Sequence, residues 1–470
     1  MLLSDLVPGA APLRVTGFAI DHRKVAPGNV FGAFRGAVVN GEDFIAAAVA
    51  AGAVAVVARP EAGVEGALHI ADAEPRAAFA RLAALFFQPL PQTLVAVTGT
   101  NGKTSTVELT RQLWTMAGVR AASIGTLGVT VGDDRRATGL TTPDVVTFLS
   151  NLHGLAREGV TCAAFEASSH GLHQHRIAGF QVRAAAFTNL SRDHLDYHGT
   201  MEEYLNAKLM LFRELLAADG TAVVWSDDPA ASQVSVAAAP HTVVSVGTTA
   251  QNWKLTGRQA TAFGQTLAVR VYGRDHVVKL PLIGAYQAAN ALMAAALVVA
   301  TGGDVAATLA NLERMVPIRG RLERALVTPA GAGVYVDYAH TPDALDAAIA
   351  ALRPHTPGRL ILVFGAGGDR DTGKRGPMGA VAAAKADLAI VTDDNPRHED
   401  AGTIRAAVML DAPRAIEIGD RREAIARGIH EAGAGDTVLI AGKGHETGQI
   451  VGDAVYPFDD VAVARELAAA

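Results

Sequence analysis

The chain is poor in the residues that mark several classes of protein. It has one cysteine, Cys162. A single thiol excludes an internal disulfide and a cysteine-built zinc site, and within the apolar run "TCAAFEA" it is expected to be buried and inert. Such sparing use suits a reducing cytosol. Charge of either sign is not in surplus, with 41 basic against 47 acidic residues for a net charge of -6. No basic footprint for nucleic acid or an anionic membrane results, so the partner is expected to be a small molecule held by local clusters. Long apolar runs are missing too. The longest uncharged one, "FIAAAVAAGAVAVVA" from Phe44 to Ala58, is shorter than the ~18 to 20 residues of a membrane span. It reads as an alanine-rich helix, a break at Gly52 and a valine-rich buried strand. The N-terminus carries Asp5 and has no basic stretch leading into a long apolar one, so no secretory signal is expected and a cytoplasmic location is.

Aromatic residues are few, at 5%, while half the chain is apolar and alanine and glycine abound. That balance fits helices packed tightly on sheets. At 470 residues and about 150 per domain, roughly three domains are expected. β-branched runs alternate with alanine-rich helical stretches almost throughout, the pattern of α/β units with largely parallel sheets. The prolines of "FFQPLPQTL" and the break in "VPIRGRLE" divide the chain near 1–88, 89–316 and 317–470. The expected fold is therefore α/β: a small N-terminal domain, a central P-loop-like domain with a mostly parallel sheet, and a C-terminal Rossmann-like, doubly wound domain. In the last, the strands "GVYVDYA", "LILVFGA", "LAIVTDD" and "DTVLIAG" each run straight into polar residues, where open α/β sheets bind ligands.

"VAVTGTNGKTSTVELTRQLWTMAG", from Val95 to Gly118, is a strand, a glycine loop and a helix. Val97 stands where the usual phosphate loop has its first glycine, so the loop is a shorter variant. Backbone N–H groups, a helix N-terminus and a lysine are what a polyphosphate requires. Gly99, Gly102, Lys103 and Thr104 supply them, Thr98, Thr100 and Asn101 add hydroxyl and amide groups, and the Thr104 hydroxyl is the expected Mg²⁺ ligand. Two more strands end in the polar bursts "EASSHGLHQHR" and "TNLSRDHLDYHG". If they neighbour the first strand, Glu166, His170 and His194 offer oxygen and imidazole ligands for a divalent metal. The zinc-hydrolase spacing His-Glu-x-x-His is absent from the sequence. Lys208, in "EEYLNAKLMLF", reads from its surroundings as an ordinary lysine on an amphipathic helix.

Together, "DHRKVAPGNVFGAFRG", "TGTNGKT", "LTTPD", "EASSHGLHQHR", "FTNLSRDHLDYHG", "YLNAKLMLF", "GAYQAANALMAAA", "PIRGRLE", "VDYAHTPDAL", "GAGGDRDTGKR", "DDNPRHED" and "AGKGHE" resemble the Mur ligases in order and over nearly the whole chain. These are ATP-dependent, amide-forming enzymes of peptidoglycan precursor synthesis. "DNPR", Asp394 to Arg397, is similar to the pattern of the members that add meso-2,6-diaminopimelate to UDP-N-acetylmuramoyl-L-alanyl-D-glutamate. The resemblance implies ATP at Gly99 to Ser105, with Asn290 near adenine and Asp337 at the ribose. It implies a second Mg²⁺ on Glu166 and His194, and a CO₂-derived carbamate (N6-carboxylysine) at Lys208. Lys103, Glu166, His194 and Lys208 form the implied catalytic set.

For the UDP-linked dipeptide it implies Thr141, Thr142, Ser168, Gln174 and Arg176, with uridine in the first domain near Ile20 and His22. Asp21-His22-Arg23 replaces a frequent Asp-Ser-Arg there, and Ala37 to Val39 replaces a more polar segment. For diaminopimelate it implies Arg370, Asp394, Asn395, Pro396, Arg397, Gly442 and Glu446. Arg397 suits a carboxylate that lysine lacks, because paired charge-assisted hydrogen bonds would go unmade with lysine. A monomer acting on small molecules is expected, with neither nucleic acid nor a membrane span involved. The competing readings are the same reaction with L-lysine, a folylpolyglutamate-synthetase-like ligase, a nucleotide-dependent binding protein that forms no bond, and a metal-dependent hydrolase.

Overall fold

The computed structural model describes residues 1–36, 39–132, 134–136, 141–261, 264–369 and 371–469. Three main sheets follow one another along the chain. The first has four parallel strands, Gly17–Ala19, Asn29–Gly32, Ala55–Ala58 and Leu68–Ala71, in sequence order. The helix Pro75–Phe86 covers it, with Phe79 fully buried against Phe18 and Phe34. The run from Phe44 divides as expected, into the helix Ile45–Ala50, a left-handed Gly52 and the strand Ala55–Ala58.

In the second sheet, of eleven strands, the phosphate-loop strand Thr93–Thr98 lies between Val182–Phe187 and Cys162–Glu166, parallel to both. Alternation along the strand decides its two faces. Val95 and Val97 pack towards Val107, Leu113 and the buried helix Ala285–Ala300, whereas Leu94 and Ala96 pack towards Phe148 and Phe165. Antiparallel strands extend both ends of this parallel core: Gly264–Val271 and Arg274–Leu280 at one, Gly128–Val131 and Asp134–Arg136 at the other.

The third sheet runs Glu323–Val327, Gly333–Asp337, Thr437–Ala441, Leu360–Phe364, Leu388–Val391, Ile416–Glu417 in spatial order. All its pairings are parallel except the first. Leu360, Leu362 and Phe364 belong to one core, and Ile361 and Val363 to the other. A strand buried on both sides must be apolar at every position, which is why "LILVF" shows no alternation. Among the described residues no helix is long and apolar enough to cross a membrane.

One sequence expectation needs correction. Cys162 is half-buried rather than buried; it opens its strand, and partial desolvation raises its thiol pKa.

Candidate active site

A cleft of about 360 Å³ opens where the carboxyl ends of the second sheet face the third. It is lined by Thr100 to Ser105, Thr141, Glu166, Ser168, His194, Lys208, Asn290 and Asp337. The strand order explains the convergence: Thr98, Glu166 and Phe187 end neighbouring parallel strands, so the loops after them share one rim. Gly102 caps the helix Lys103–Met116 at φ 85°, and a Cβ there would lie 2.5 Å from Asn290 Oδ1. Asn290 thus packs directly against the phosphate loop.

Lys103 folds back on its own loop, its Nζ donating to the carbonyls of Gly99 at 2.9 Å and Thr100 at 2.8 Å. Burial lowers its pKa, and Glu166 and Asp193 counter this. Thr104 Oγ1 donates to Glu166 Oε1 at 2.9 Å and accepts from Arg321 Nη2 at 3.1 Å. Glu166 also receives the Thr126 N–H at 2.7 Å and the Thr126 hydroxyl at 3.2 Å.

Lys208 overturns its sequence reading as a surface lysine: it is 1% exposed. Its Nζ donates to Gly99 O at 2.8 Å and lies 4.0 Å from the centre of the Tyr204 ring. Burial, reinforced by the nearby Lys103, takes its pKa well below the ordinary lysine value. An uncharged amine has a lone pair to offer an electrophile. Tyr204 in turn meets Thr100 Oγ1 at 3.2 Å, tying the Lys208 helix to the phosphate loop. His194 sits at φ 55° with its ring 4.9 Å from that of His170. Burial lowers both imidazoles to about 4, which leaves them neutral and able to coordinate.

Among the described residues no three His, Cys, Asp or Glu side chains are assembled into a metal-binding group. Magnesium commonly takes one or two protein carboxylates and completes its shell with water and substrate phosphates. The oxygen-rich surroundings of Thr104 and Glu166, with a neutral His194 on the same rim, fit that habit.

The residues expected to hold the UDP-linked substrate form a connected group at the cleft edge. Thr142 Oγ1 donates to Glu166 O at 3.0 Å and accepts from Ser168 Oγ at 2.9 Å. Arg176 donates to Thr142 O at 3.0 Å and to Gln174 Oε1 at 2.7 Å, and Thr141 meets Thr126 at 3.0 Å. In the first domain Ile20 is exposed, and the His22 ring stacks on Phe44 at 4.3 Å. Val39 is exposed, while Ala37 and Val38 lie outside the described residues.

The "DNPR" loop is a second cluster, following the strand Leu388–Val391. Asp394, Asn395 and Pro396 are buried, and Asp394 Oδ2 has no hydrogen-bond partner among the described residues. Arg397, at φ 53°, donates through Nη1 to Gly368 O at 2.7 Å; among the described residues no partner meets its Nε or Nη2. Asn395 Nδ2 donates to Glu446 Oε2 at 2.8 Å, and Gly442 at φ 114° leaves room for Asp394 Oδ2. A wholly buried Arg421–Asp460 pair fixes the frame, since Arg421 also donates to Asp393 O and Ala441 O at the two strand ends that carry these residues. Arg370 lies outside the described residues.

Sequence reasoning missed Arg321. It stands in "PIRGRLE", read as a break and as one of the family motifs but given no site role, yet it crosses to Thr104 and stacks 4.5 Å over Tyr338. It also missed Tyr286, whose hydroxyl donates to Asp337 Oδ2 at 3.3 Å, where burial raises the pKa of Asp337. An arginine after a glycine in a linker was the one available signal.

Comparison with known proteins agrees with this geometry. Residues 14–96 match the catalytic domain of the Mur ligase family, 97–298 the Mur ligase middle domain, and 320–444 the Mur ligase glutamate ligase domain. The chain is 59% identical to a UDP-N-acetylmuramoyl-L-alanyl-D-glutamate–2,6-diaminopimelate ligase of Zymomonas mobilis subsp. mobilis, over 98% of this chain and 96% of that protein. It is 50% identical to the ligase of the same name from Caulobacter vibrioides, over 98% and 97% of the two chains. A solved structure of a ligase of that name superposes with a TM-score of 0.74 at 33% identity, covering 100% of this chain and 99% of that one. With its phosphate loop, its second strand-end cluster and these relatives in agreement, the chain belongs to the Mur ligase family.

Proposed function

We propose that this ligase joins meso-2,6-diaminopimelate to UDP-N-acetylmuramoyl-L-alanyl-D-glutamate, cleaving ATP to ADP and phosphate, in peptidoglycan precursor synthesis. The observations that carry this reading are a phosphate loop at the strand ends of the second sheet and, at the strand ends of the third, a "DNPR" loop whose arginine meets no partner at Nε or Nη2 among the described residues. The relatives bearing that activity in their names support it across the whole chain.

A carboxylate and an amine do not condense at neutral pH, because oxide is too poor a leaving group. Attack of the D-glutamyl γ-carboxylate on the γ-phosphorus of ATP releases ADP and gives an acyl phosphate. The diaminopimelate amine then adds to that carbonyl, and collapse of the tetrahedral adduct expels phosphate and leaves the amide. Positioning and charge compensation are the protein's contribution. Lys103 would exchange its loop carbonyls for phosphate oxygens, and Arg321 stands ready to do the same from the third domain. Bound magnesium would offset phosphate charge, with Thr104, Glu166, His194 and a carbamate on Lys208 as the residues to hold it. Burial favours the uncharged form of the Lys208 amine, and that form can add to CO₂ and lose a proton to give an anionic carbamate.

Asn290 and Asp337 would contact the nucleoside, and Thr141, Thr142, Ser168, Gln174 and Arg176 the UDP-linked dipeptide, with Ile20 and His22 near uridine. Arg397, with Arg370, Asp394, Asn395, Pro396, Gly442 and Glu446, would receive the distal end of diaminopimelate. The working units are read as 1–88, 89–316 and 317–470, in a monomer acting in the cytoplasm.

The deciding assay measures phosphate release from ATP with the UDP-linked dipeptide and Mg²⁺, comparing meso-diaminopimelate, L-lysine and no amino acid, and checks product mass. Phosphate and a tripeptide mass with diaminopimelate alone are expected. Product with lysine instead would remove the argument from Arg397, and no product with either would overturn the reading.

A further inference from the structure

Lys443 has no role in the chemistry above, yet its side chain is completely buried. It stands in "AGKGHE", where Gly-Lys-Gly after a strand suggests a lysine reaching for phosphate. The structure turns it the other way, into the protein beneath the "DNPR" loop. Its three N–H groups have three acceptors: Asn395 Oδ1 at 3.1 Å, Glu446 Oε2 at 3.2 Å and Gly448 O at 2.5 Å. Those acceptors lie on three separate segments: the loop after Leu388–Val391, the loop after Thr437–Ala441, and the hairpin Gly448–Val451 with Ala454–Pro457.

Each partner is fixed in orientation by the contact. Asn395 Oδ1 also accepts the Ile450 N–H at 2.9 Å, so its amide nitrogen must point at Glu446 Oε2, which it meets at 2.8 Å. Glu446 Oε2 therefore takes both Lys443 and Asn395, and Oε1 is the oxygen left for a further donor. The hairpin closes the arrangement, with Arg397 N donating to Ile450 O at 3.1 Å and Gln449 Nε2 to Asp394 O at 2.8 Å. One buried ammonium thus joins the segments on both sides of Arg397. A buried charge held by three oriented acceptors costs desolvation, which these contacts must offset, and removing it leaves Glu446 and Asn395 without their partner.

We propose that Lys443 is a positioning residue for amino-acid selection: it aims the Glu446 carboxylate at the distal ammonium of the incoming diamino acid and holds Asn395 and Arg397 in register with the distal carboxylate. The inference rests on the proposed ligase activity and deepens it.

The test is steady-state kinetics of the full chain with each of the three substrates varied in turn, for wild type, Lys443→Met and Glu446→Gln. The expected result for Lys443→Met is a KM for diaminopimelate raised tenfold or more, with the KM values for ATP and the UDP-linked dipeptide within twofold of wild type. Preference for diaminopimelate over lysine should fall by a similar factor. Glu446→Gln keeps shape and removes charge, so it should raise the same KM even if Lys443→Met fails to fold, and the double variant should lose less than the product of the two. An unchanged diaminopimelate KM in folded Lys443→Met would overturn the inference, as would equal rises in all three KM values, or an unchanged KM in Glu446→Gln. Failure of the ligase reading itself is separate, because wild type would then make no tripeptide.

Discussion

The two strand-end clusters, one on each large sheet, differ in which of their charged groups are paired internally. At the phosphate loop the lysines and Thr104 are paired internally: Lys103 and Lys208 share the carbonyl of Gly99, and Thr104 donates to Glu166, while Thr98 Oγ1 and Arg321 Nε meet no partner among the described residues. At the "DNPR" loop the open groups include charged ones, with Asp394 Oδ2 and the Nε and Nη2 of Arg397 unpaired among the described residues. Both keep a non-glycine residue in the left-handed region, His194 at φ 55° and Arg397 at φ 53°, a strain that folded proteins retain where orientation matters. The first site must exchange internal hydrogen bonds for a ligand. The second presents charged atoms that meet no partner among the described residues, which suits recognition of a rigid charge pattern more than a change of state.

The comparison can be broken most severely at the first cluster. Lys208→Met should lower kcat/KM by about a hundredfold or more, the scale seen when a charge-stabilising group is lost. It should also stabilise the ligand-free chain near neutral pH. A buried lysine with a depressed pKa binds fewer protons folded than unfolded, so its cost grows as pH falls below the ordinary lysine value; urea unfolding at pH 7 and pH 9 measures this. A less stable Lys208→Met at pH 7 would contradict the argument.

Arg397→Lys should be next, lowering the preference for diaminopimelate over lysine by roughly 10- to 100-fold through the loss of paired hydrogen bonds, read from competition between the two amino acids. Thr104→Val should follow, with a several-fold rise in the KM for ATP. Gly442→Ala sharpens the contrast, since its Cβ would strike Asp394 Oδ2 and the backbone is at φ 114°. It should cost about 1–3 kcal/mol, seen in thermal unfolding, and raise the KM for diaminopimelate while leaving that for ATP unchanged.

The smallest effect concerns pH. Hydrogen bonds to Asp369 and Asp453 raise the pKa of His398, which ties the "DNPR" loop to the hairpin. A raised histidine pKa stabilises below the unfolded value, and the contribution disappears as pH climbs through the folded one. Proteolysis of the hairpin should therefore quicken as pH rises from 6 to 8, slightly because the pair is exposed, and His398→Asn should abolish that dependence.

Most of the architecture was legible because buried parallel strands write themselves as uninterrupted apolar runs, such as "LILVF" and "TVLIA", each ending in polar residues. The phosphate loop was legible for a related reason: glycine, lysine and threonine between a strand and a helix have a local geometry that requires little from the rest of the chain. Lys208 was not legible from its surroundings. "YLNAK" fits an exposed helix, and only the meeting of that helix with the loop at Gly99 buries the amine. Arg321 and Lys443 eluded the reading likewise, since their partners Thr104 and Asn395 lie 217 and 48 residues away.

By itself, then, the sequence determined where strands, turns and the phosphate cradle form, since these follow from periodicity and from backbone freedom within a few residues. The tertiary structure decided which charges are buried and what they face. Side-chain protonation and orientation depend on desolvation and on oxygens brought close by distant segments, and no local pattern encodes either.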